Sequence, residues 1–250
     1  MSHHIVDFID ISYSYPDGNK VIEELNARIH HGESVALVGA NGAGKSTLLK
    51  LLVGILMPEH GEIRLGELPV TKKTLNLVRR QIGYTFQDPE DQLFCSSVYE
   101  DVAFGPRNYG LEEKEVERRV EKALQTVGAE YLMHRAPYKL SGGEKRAVSI
   151  ATVLSMEPSV LALDEPSAGL DPKSRRRLIQ LLQSFFHTKL IATHDLDMAM
   201  ELCTRTIVLK NGRIAYDGPT SEIMSDSRQL EECGLELPLR LQGCPLCGNK

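Results

Sequence analysis

The sequence predicts an α/β fold: a largely parallel sheet with an N-terminal antiparallel β subdomain and an inserted α-helical subdomain. The apolar runs Val160–Leu163 and Lys189–Ala192 are typical of parallel strands buried on both faces. Residues 5–29 contain two alternating runs around a Pro-Asp-Gly turn, which indicates an antiparallel hairpin. Residues 88–157 show helical spacing and no strand signal, so we expect them to form the inserted subdomain.

Composition limits the classes of function. The chain has 250 residues, enough for one large domain with an inserted subdomain, and its net charge of −5 gives no basic field for nucleic acid. No apolar run approaches about 18 residues, and the polar start Met1–His4 is unlike a signal peptide. We therefore expect a chain that does not cross a membrane by itself. Its five scattered cysteines favour a reducing cytosol over a disulfide framework.

The first half of the chain alternates strands and helices. Ile5–Tyr15 and Val21–Ile29 are the predicted strands of the hairpin, and Val35–Val38 is a buried strand that leads into a glycine-rich loop and a helix. Before the helical block we expect a strand at Gly61–Leu65, a helix at Thr71–Arg80 and a strand at Ile82–Phe86.

The second half continues this alternation. A helix is predicted to begin at Pro172 with Asp171 as its N-cap. Asn211-Gly212 is typical of a tight hairpin turn. The remaining expectations are hairpin strands at Arg205–Lys210 and Arg213–Tyr216, a short helix at Pro219–Met224, and an apolar helix face made of Leu178, Leu181, Leu182, Phe185 and Phe186.

The glycine-rich loop carries the strongest functional signal, because it fits the pattern G-x-x-x-x-G-K-[ST] between a strand and a helix. Its glycines let backbone N–H groups surround an anion, and the helix N-terminus adds partial positive charge. Lys45 can reach the β- and γ-phosphates, and Ser46 can ligate Mg²⁺. The sequence thus predicts a P-loop NTPase that binds a nucleoside triphosphate through Gly39, Ala40, Asn41, Gly42, Ala43, Gly44, Lys45, Ser46 and Thr47.

Two carboxylates and one aromatic side chain are expected near this loop. Asp164 and Glu165 follow a buried strand, and ligands of doubly wound sheets bind outside the carboxyl ends of strands. Asp164 suits Mg²⁺ ligation and Glu165 suits orienting or deprotonating water; the alternative is a solvated turn with two acids. Tyr15 ends the first hairpin, where it either stacks on a base or packs in the core or its rim.

A second glycine pair lies at the start of a predicted helix. Ser141 and Glu144 have the spacing of a capping box, which is a sufficient structural explanation for both. Capping does not explain Gly142 and Gly143, which are poor helix formers. Because glycines at a helix N-terminus let an anion approach the backbone, we expect anion contact at this segment.

Two further segments leave alternatives open. Leu93 and Phe94 follow the polar run Gln87–Gln92, and they form either a partner-docking edge or a loop whose phenylalanine turns inward. His194 stands at the carboxyl end of a buried strand. By itself it is more often a helix-capping or hydrogen-bonded histidine than a catalytic one.

The C-terminal tail contains half of a zinc-type site, Cys244 and Cys247 in a C-x-x-C knuckle. Two sulfurs do not complete a tetrahedral site, so further ligands would have to come from Cys233, from His3 or His4, or from a second copy. A flexible tail with two free thiols is the alternative.

Taken in order, these motifs closely resemble the ATPase subunit of ATP-binding-cassette (ABC) transporters over residues 5–225. The resemblance implies that Gln87 senses Mg²⁺ and contacts a membrane partner, that Tyr15 stacks on adenine and that His194 holds the γ-phosphate. The motifs are the Walker A loop at Gly39–Thr47, the Q-loop glutamine Gln87, the signature at Leu140–Glu144, Walker B at Val160–Asp164 with Glu165 as catalytic glutamate, the D-loop at Ser167–Asp171 and the switch histidine His194.

A narrower resemblance is to the energy-coupling-factor branch, and within it to cobalt or nickel import ATPases. It rests on the runs Gln87–Phe94 and Val98–Pro106. The chain departs from the family where Glu144 replaces the usual Gln, where Ala147 replaces a common Arg, and in its cysteine tail. Specificity in such importers belongs to membrane subunits, so a vitamin importer of the same type and a soluble non-transport ABC ATPase remain the alternatives.

The resemblance also implies cofactors, partners and location. ATP and Mg²⁺ are the implied cofactors, and the working unit is a head-to-tail dimer, homomeric or heteromeric. In it Ser141, Gly142 and Gly143 of one copy would face the γ-phosphate held by Lys45 of the other. Integral membrane subunits would place the chain on the cytoplasmic face of the membrane, with an ATPase domain at residues 1–225 and an extension at 226–250.

Overall fold

Strands and helices alternate as the sequence predicts over the residues described, 4–243, in a computed structural model. The strands are β1 (His4–Ser14), β2 (Lys20–His30), β3 (Ser34–Val38), β4 (His60–Leu65), β5 (Leu68–Pro69), β6 (Ile82–Thr85), β7 (Val160–Asp164), β8 (Thr188–Ala192), β9 (Arg205–Lys210) and β10 (Arg213–Pro219). The helices are α1 (Lys45–Leu52), α2 (Leu75–Gln81), α3 (Val98–Asn108), α4 (Glu113–Val127), α5 (Gly142–Leu154), α6 (Pro172–Ser184), α7 (Leu196–Leu202), α8 (Thr220–Ile223) and α9 (Ser227–Glu232).

These strands form two sheets. The first is antiparallel, in the order β2-β1-β4-β5, and the second has the order β10-β9-β3-β8-β7-β6. All neighbours in the second sheet are parallel except β9 and β10. Because β3, β8 and β7 are consecutive parallel neighbours, their carboxyl ends lie side by side at one edge. The predicted fold class is confirmed, and this edge is where the site forms.

The core has two layers, one on each face of the parallel sheet. Along β3 the side chains alternate: Val35 and Leu37 face a layer shared with the antiparallel sheet and α1, while Ala36 and Val38 face the layer of α6 and α7. Such alternation with both faces buried explains why the strand has no polar residue after Ser34.

The inserted subdomain packs α3, α4 and α5 around its own apolar cluster. Helix α5 belongs to two cores, because Val148 and Ala151 lie in the subdomain cluster while Ile150 and Val153 lie in the α6 and α7 layer. This shared helix couples the position of the subdomain to that of the sheet. It also begins with the predicted capping box.

Several predicted boundaries are wrong: strand β10 runs to Pro219 rather than Tyr216, and two helices differ more clearly. Helix α2 begins at Leu75 rather than Thr71, because the Thr74 side chain binds the Thr71 backbone and closes a turn first. Helix α6 ends at Ser184, so Phe186 does not join its apolar face and is 87% exposed. The helix ends here because the buried Lys189 Nζ caps it, donating to the carbonyls of Leu182 and Phe185.

The described part of the C-terminal segment packs on the sheet domain. Leu230 and Cys233 are buried in the α6 and α7 layer, and Arg240 pairs with Asp197 of α7. Cys233 is therefore not presented at the surface as a metal ligand, and the predicted ligands Cys244 and Cys247 lie outside the described residues. Within residues 4–243, no group of three or more His, Cys, Asp and Glu side chains is arranged to hold a metal ion. In that same range no helix combines the length and the apolar character needed to span a bilayer.

Candidate active site

The phosphate loop connects β3 to α1, and packing requires two of its glycines. A Cβ at Gly39 would lie 2.4 Å from the carbonyl oxygen of Leu209, and one at Gly44 would lie 2.7 Å from Ile22 Cδ1. Gly44 and Gly42 also have φ of 107° and 80°, which side chains disfavour. The loop thus curls closely against β9 and β2, and Ala40, Asn41, Gly42 and Ala43 complete it before α1.

Lys45 opens helix α1 and turns back over the loop. Its Nζ donates to the carbonyl oxygens of Gly39 at 2.8 Å and Ala40 at 3.3 Å, and the side chain is buried. Burial lowers the pKa of Lys45, while the nearby charges of Glu165 and Asp164 raise it. The ammonium group is thus held within the loop beside two carboxylates, where a phosphate oxygen is its natural ligand.

Ser46 and Asp164 meet although 118 positions separate them in the sequence. The Ser46 hydroxyl donates to Asp164 Oδ1 at 2.9 Å, and the Tyr84 hydroxyl donates to Asp164 Oδ2 at 3.3 Å. Burial raises the pKa of Asp164. The structure therefore brings together the two predicted oxygen ligands at the carboxyl ends of β3 and β7.

Glu165 lies directly after β7 and is buried. Its backbone N–H donates to the Ala192 carbonyl at 2.8 Å, and its Oε2 accepts from the His194 backbone N–H at 3.1 Å. The same oxygen lies 2.7 Å from Nδ1 of the exposed His194 ring. These contacts join the ends of β7 and β8, so the two predicted catalytic side chains are direct partners.

Tyr15 borders the phosphate loop. Its hydroxyl lies 3.2 Å from Thr47 Oγ1, and it lines a cavity of about 300 Å³ that also contains the loop. Gln87 and Glu165 line the same cavity. One recess thus combines an aromatic side chain, the phosphate loop, the Q-loop glutamine and the carboxylate predicted to act on water.

The segment that ends at Phe94 is held by the residues that follow a short 3₁₀ turn at Pro89–Asp91. Gln92 binds Ser149 and Thr152 of α5, and Leu93 is buried. Phe94 is 65% exposed, so the alternative of a phenylalanine that turns inward is wrong. It packs edge-to-face against Phe104 with ring centroids 5.0 Å apart.

The signature segment lies on the wall of another cavity. Ser141 and Gly143 line a recess of about 630 Å³ between the helical subdomain and α6, and no residue of the phosphate loop lines it. A Cβ on Gly143 would lie 2.8 Å from Ser174 Oγ, so a larger residue here would have to displace that hydroxyl from its contact with Asp171. A Cβ on Gly142 would meet nothing within 4 Å.

Comparison with known proteins agrees with this geometry. The family model described as "ABC transporter" matches residues 22–168. The chain is 59% identical to an ABC transporter ATP-binding protein of Geobacter sulfurreducens over the whole of both chains. It is 42% identical to the energy-coupling factor transporter ATP-binding protein EcfA of Methanocaldococcus jannaschii, covering 94% of this chain and 86% of that one.

Two solved structures have the same fold. The cbiO1 protein of Clostridium perfringens, described as part of the ABC transporter complex cbiONQ, is 39% identical with a TM-score of 0.81 and covers 92% of this chain and 94% of its own. A dimeric ATP-binding cassette in a post-hydrolysis state with ADP and Pi is 25% identical with a TM-score of 0.79, over 86% of this chain and 99% of its own.

The chain belongs to the ABC transporter ATPase family. Within that family it is of the energy-coupling-factor type, and its reaction is the hydrolysis of ATP. In this ABC ATPase the phosphate loop and the strand ends line one recess, whereas Ser141 and Gly143 line a separate one.

Sequence reasoning missed two polar contacts of the ABC ATPase. Arg146 on α5 is buried and donates to the carbonyls of Phe86 and Gln87. The sequence hint to this contact was the neighbouring Ala147, which stands where the family commonly has Arg. Arg175 forms a two-pronged ion pair with Asp195, at 2.6 and 2.9 Å. Burial raises the pKa of Asp195, but the contacts with Arg175, the Met198 backbone and Ser167 together lower it below its ordinary value. No sequence pattern pairs these residues, which only the fold makes neighbours.

Proposed function

We propose that this ABC ATPase powers a membrane importer of the energy-coupling-factor type whose cargo is cobalt or nickel ions. The proposal takes the ATPase domain as residues 1–225 and the site residues as predicted. It is supported by the relative named EcfA and by the structural neighbour described as part of a cbiONQ complex.

Nucleotide binding follows from the recess around the phosphate loop. Tyr15 stacks on the base, Lys45 and the loop N–H groups bind the phosphates, and Ser46 and Asp164 supply the hard oxygen ligands that suit Mg²⁺. The ion, when bound, neutralises charge on the β- and γ-phosphates. Gln87 lines the same recess, which supports its proposed part in that ligand set through its amide oxygen.

Hydrolysis then depends on Glu165. Its carboxylate lies in the recess with Lys45 and binds His194, which supports the proposal that it orients a water and accepts its proton.

The dimer follows from the position of the signature. Ser141, Gly142 and Gly143 do not line the recess of their own Lys45, and Gly142 is open to the outside. We infer that they bind the terminal phosphate held by a second ATPase subunit. ATP favours the closed dimer and hydrolysis removes the contacts that hold it.

The observation that carries the transport part of the proposal is the exposed aromatic pair Phe94–Phe104. Asp101 is buried and accepts from the backbone N–H groups of Phe94 and Cys95, each at 3.0 Å, which holds the loop in this exposed form. Exposed aromatic side chains on a rigid loop suit a protein partner. A membrane subunit bound to this pair would contact the segment Gln87–Phe94. It would hold the ATPase as a peripheral protein on the cytoplasmic face of the membrane.

The test is capture followed by transport. The tagged chain is expressed in its own host, membranes are solubilised, and captured proteins are identified by mass spectrometry. Membrane-spanning subunits are expected with the parent chain and are lost with Phe94→Ser. Phe186→Ser, which removes a phenylalanine that is even more exposed than Phe94, is the control and retains them. The captured complex in vesicles should accumulate Co²⁺ or Ni²⁺ when ATP is supplied.

Two results would contradict the proposal. Uptake of a vitamin instead of a metal ion would overturn the cargo while keeping the transporter type. Failure to capture any membrane-spanning subunit, together with unchanged ATPase activity, would favour a soluble ABC ATPase.

A further inference from the structure

We propose that Arg146 is a positioning residue for ATP hydrolysis, which fixes Gln87 to the signature helix α5. The inference rests on the proposed role of Gln87 as an Mg²⁺ ligand. Arg146 itself binds neither nucleotide nor ion in this proposal; it acts through the backbone of the Q-loop.

The contacts of Arg146 are directed at that backbone. The side chain is only 3% exposed, and it lies one turn after the signature on α5. Its Nη1 donates to the Phe86 carbonyl at 2.9 Å and its Nη2 donates to the Gln87 carbonyl at 2.6 Å. A planar guanidinium that holds two successive carbonyls sets both the position and the orientation of the peptide that carries the Gln87 side chain.

The same loop is already attached to α5 without Arg146. The Gln92 amide donates to the Ser149 carbonyl and the Thr152 hydroxyl, both at 2.7 Å, and accepts from the Phe86 N–H at 3.2 Å. On the surface Lys145 pairs with Glu90. The fold therefore does not need a buried charge to attach this loop to α5. What Arg146 adds is a fixed position for the backbone at Gln87.

The surroundings of Arg146 favour a role in the site over a role in the core. Arg146 lines a cavity of about 470 Å³ together with Gln87 and Asp164. Its Nε is buried and has no hydrogen-bond partner. A buried guanidinium with an unmade hydrogen bond costs stability, which an uncharged side chain of similar size would avoid.

The arrangement has a consequence for the reaction cycle. Since Arg146 and Ser141 are on one rigid helix, any shift of α5 when the signature meets a second subunit is transmitted to the backbone at Gln87. A displacement of about 1 Å in a positioning group is enough to lower a rate by about a hundredfold. Arg146 thus links assembly of the dimer to completion of the metal site.

The test compares Arg146→Gln and Arg146→Lys with Lys145→Gln as the matched control, using the purified full chain and ATP. Both Arg146 variants should lower kcat, by about tenfold for Gln and less for Lys, which keeps the charge but not the planar fork. The Mg²⁺ concentration for half-maximal activity should rise severalfold, while KM for ATP changes less than about twofold. Lys145→Gln should change none of these values.

A second measurement separates positioning from stability. Amide hydrogen exchange of residues 84–92 should accelerate in both Arg146 variants while exchange in β3 and β8 stays at the parent rate, at a temperature where circular dichroism shows each variant folded. If kcat and the Mg²⁺ requirement are unchanged, or if exchange accelerates throughout the chain, the proposal is wrong. This assay needs no membrane subunit, so failure of the transport proposal leaves its outcome readable.

Discussion

At the scale of single residues, the side chains of the site are held in position by contacts at the ends of neighbouring strands. Glu165 shows this most directly. One of its carboxylate oxygens binds both the backbone and the ring of His194, and its own N–H binds the end of β8. Its orientation is therefore determined by the neighbouring strand, not by its own.

Glu165→Gln tests the assigned base. The amide keeps the size of the side chain and a contact to His194 but cannot accept a proton, so kcat should fall by about a hundredfold or more. ATP binding, measured by calorimetry, should stay within about threefold because Lys45 and the loop are intact. The variant should accumulate as an ATP-bound dimer in gel filtration. Hydrolysis at the parent rate would show that another group activates water.

At the scale of elements, helix α5 is the connection between subdomain, signature and Q-loop. It begins with a complete capping box: Ser141 N–H donates to Glu144 Oε2 at 2.8 Å, and Glu144 N–H donates to Ser141 Oγ at 3.4 Å. The Tyr131 hydroxyl donates to the other Glu144 oxygen at 3.2 Å. Both carboxylate oxygens of the residue that departs from the family's usual Gln thus have hydrogen-bond partners within the chain.

Glu144→Gln should therefore cost little. A glutamine oxygen accepts from Ser141 N–H equally, so we expect a loss of less than about 1 kcal/mol in unfolding free energy and a nearly unchanged ATPase rate. Glu144→Leu is the contrasting variant, because it removes both contacts and should be less stable. A collapse of activity in the Gln variant would show that the carboxylate charge is needed for the reaction.

The difference in stability between the parent and Glu144→Gln should depend on pH. The hydrogen bond from the Ser141 backbone lowers the pKa of Glu144 below its ordinary value of 4.5. A group whose pKa is depressed by folding stabilises the protein above its unfolded pKa and loses that contribution as pH falls. Any stability advantage of the parent over Glu144→Gln should hence shrink below about pH 4.5 in urea titrations. An advantage that grew in acid would contradict the capping-box contact.

At the scale of the whole molecule, the separation of two surfaces matters most. The recess of Lys45 and the recess lined by Ser141 share no residue, as the proposed dimer with two half-sites per chain requires. The signature glycines then divide by environment: Gly143 packs on Ser174 in its own chain, while Gly142 faces open space.

Gly142→Ala and Gly143→Ala should consequently have opposite effects on the isolated chain. Gly142→Ala is expected to stabilise it by about 0.5–1 kcal/mol, because alanine favours a helix. It should nevertheless lower ATPase activity, since the added methyl meets the partner's nucleotide. Gly143→Ala should destabilise the chain by about 1–3 kcal/mol through its clash with Ser174. Thermal unfolding and steady-state hydrolysis measure both; full activity in Gly142→Ala would argue against contact in the dimer.

Local patterns in the sequence determined the elements and the loop chemistry of this ABC ATPase. Apolar runs, caps and glycines act within a few residues of each other, so the strands, the capping box and the phosphate loop were predictable. Two of the wrong boundaries arose where a side chain ended or delayed a helix: Thr74 before α2, and Lys189, which reaches back from β8 to cap α6.

Only the tertiary structure decided which distant groups meet. The parallel order β3-β8-β7 places Ser46 beside Asp164 and Glu165 beside His194, and it turns Arg146 rather than position 147 toward the Q-loop. These contacts span large sequence separations and depend on strand register and helix rotation. No local pattern encodes either, because each is set by how the layers pack.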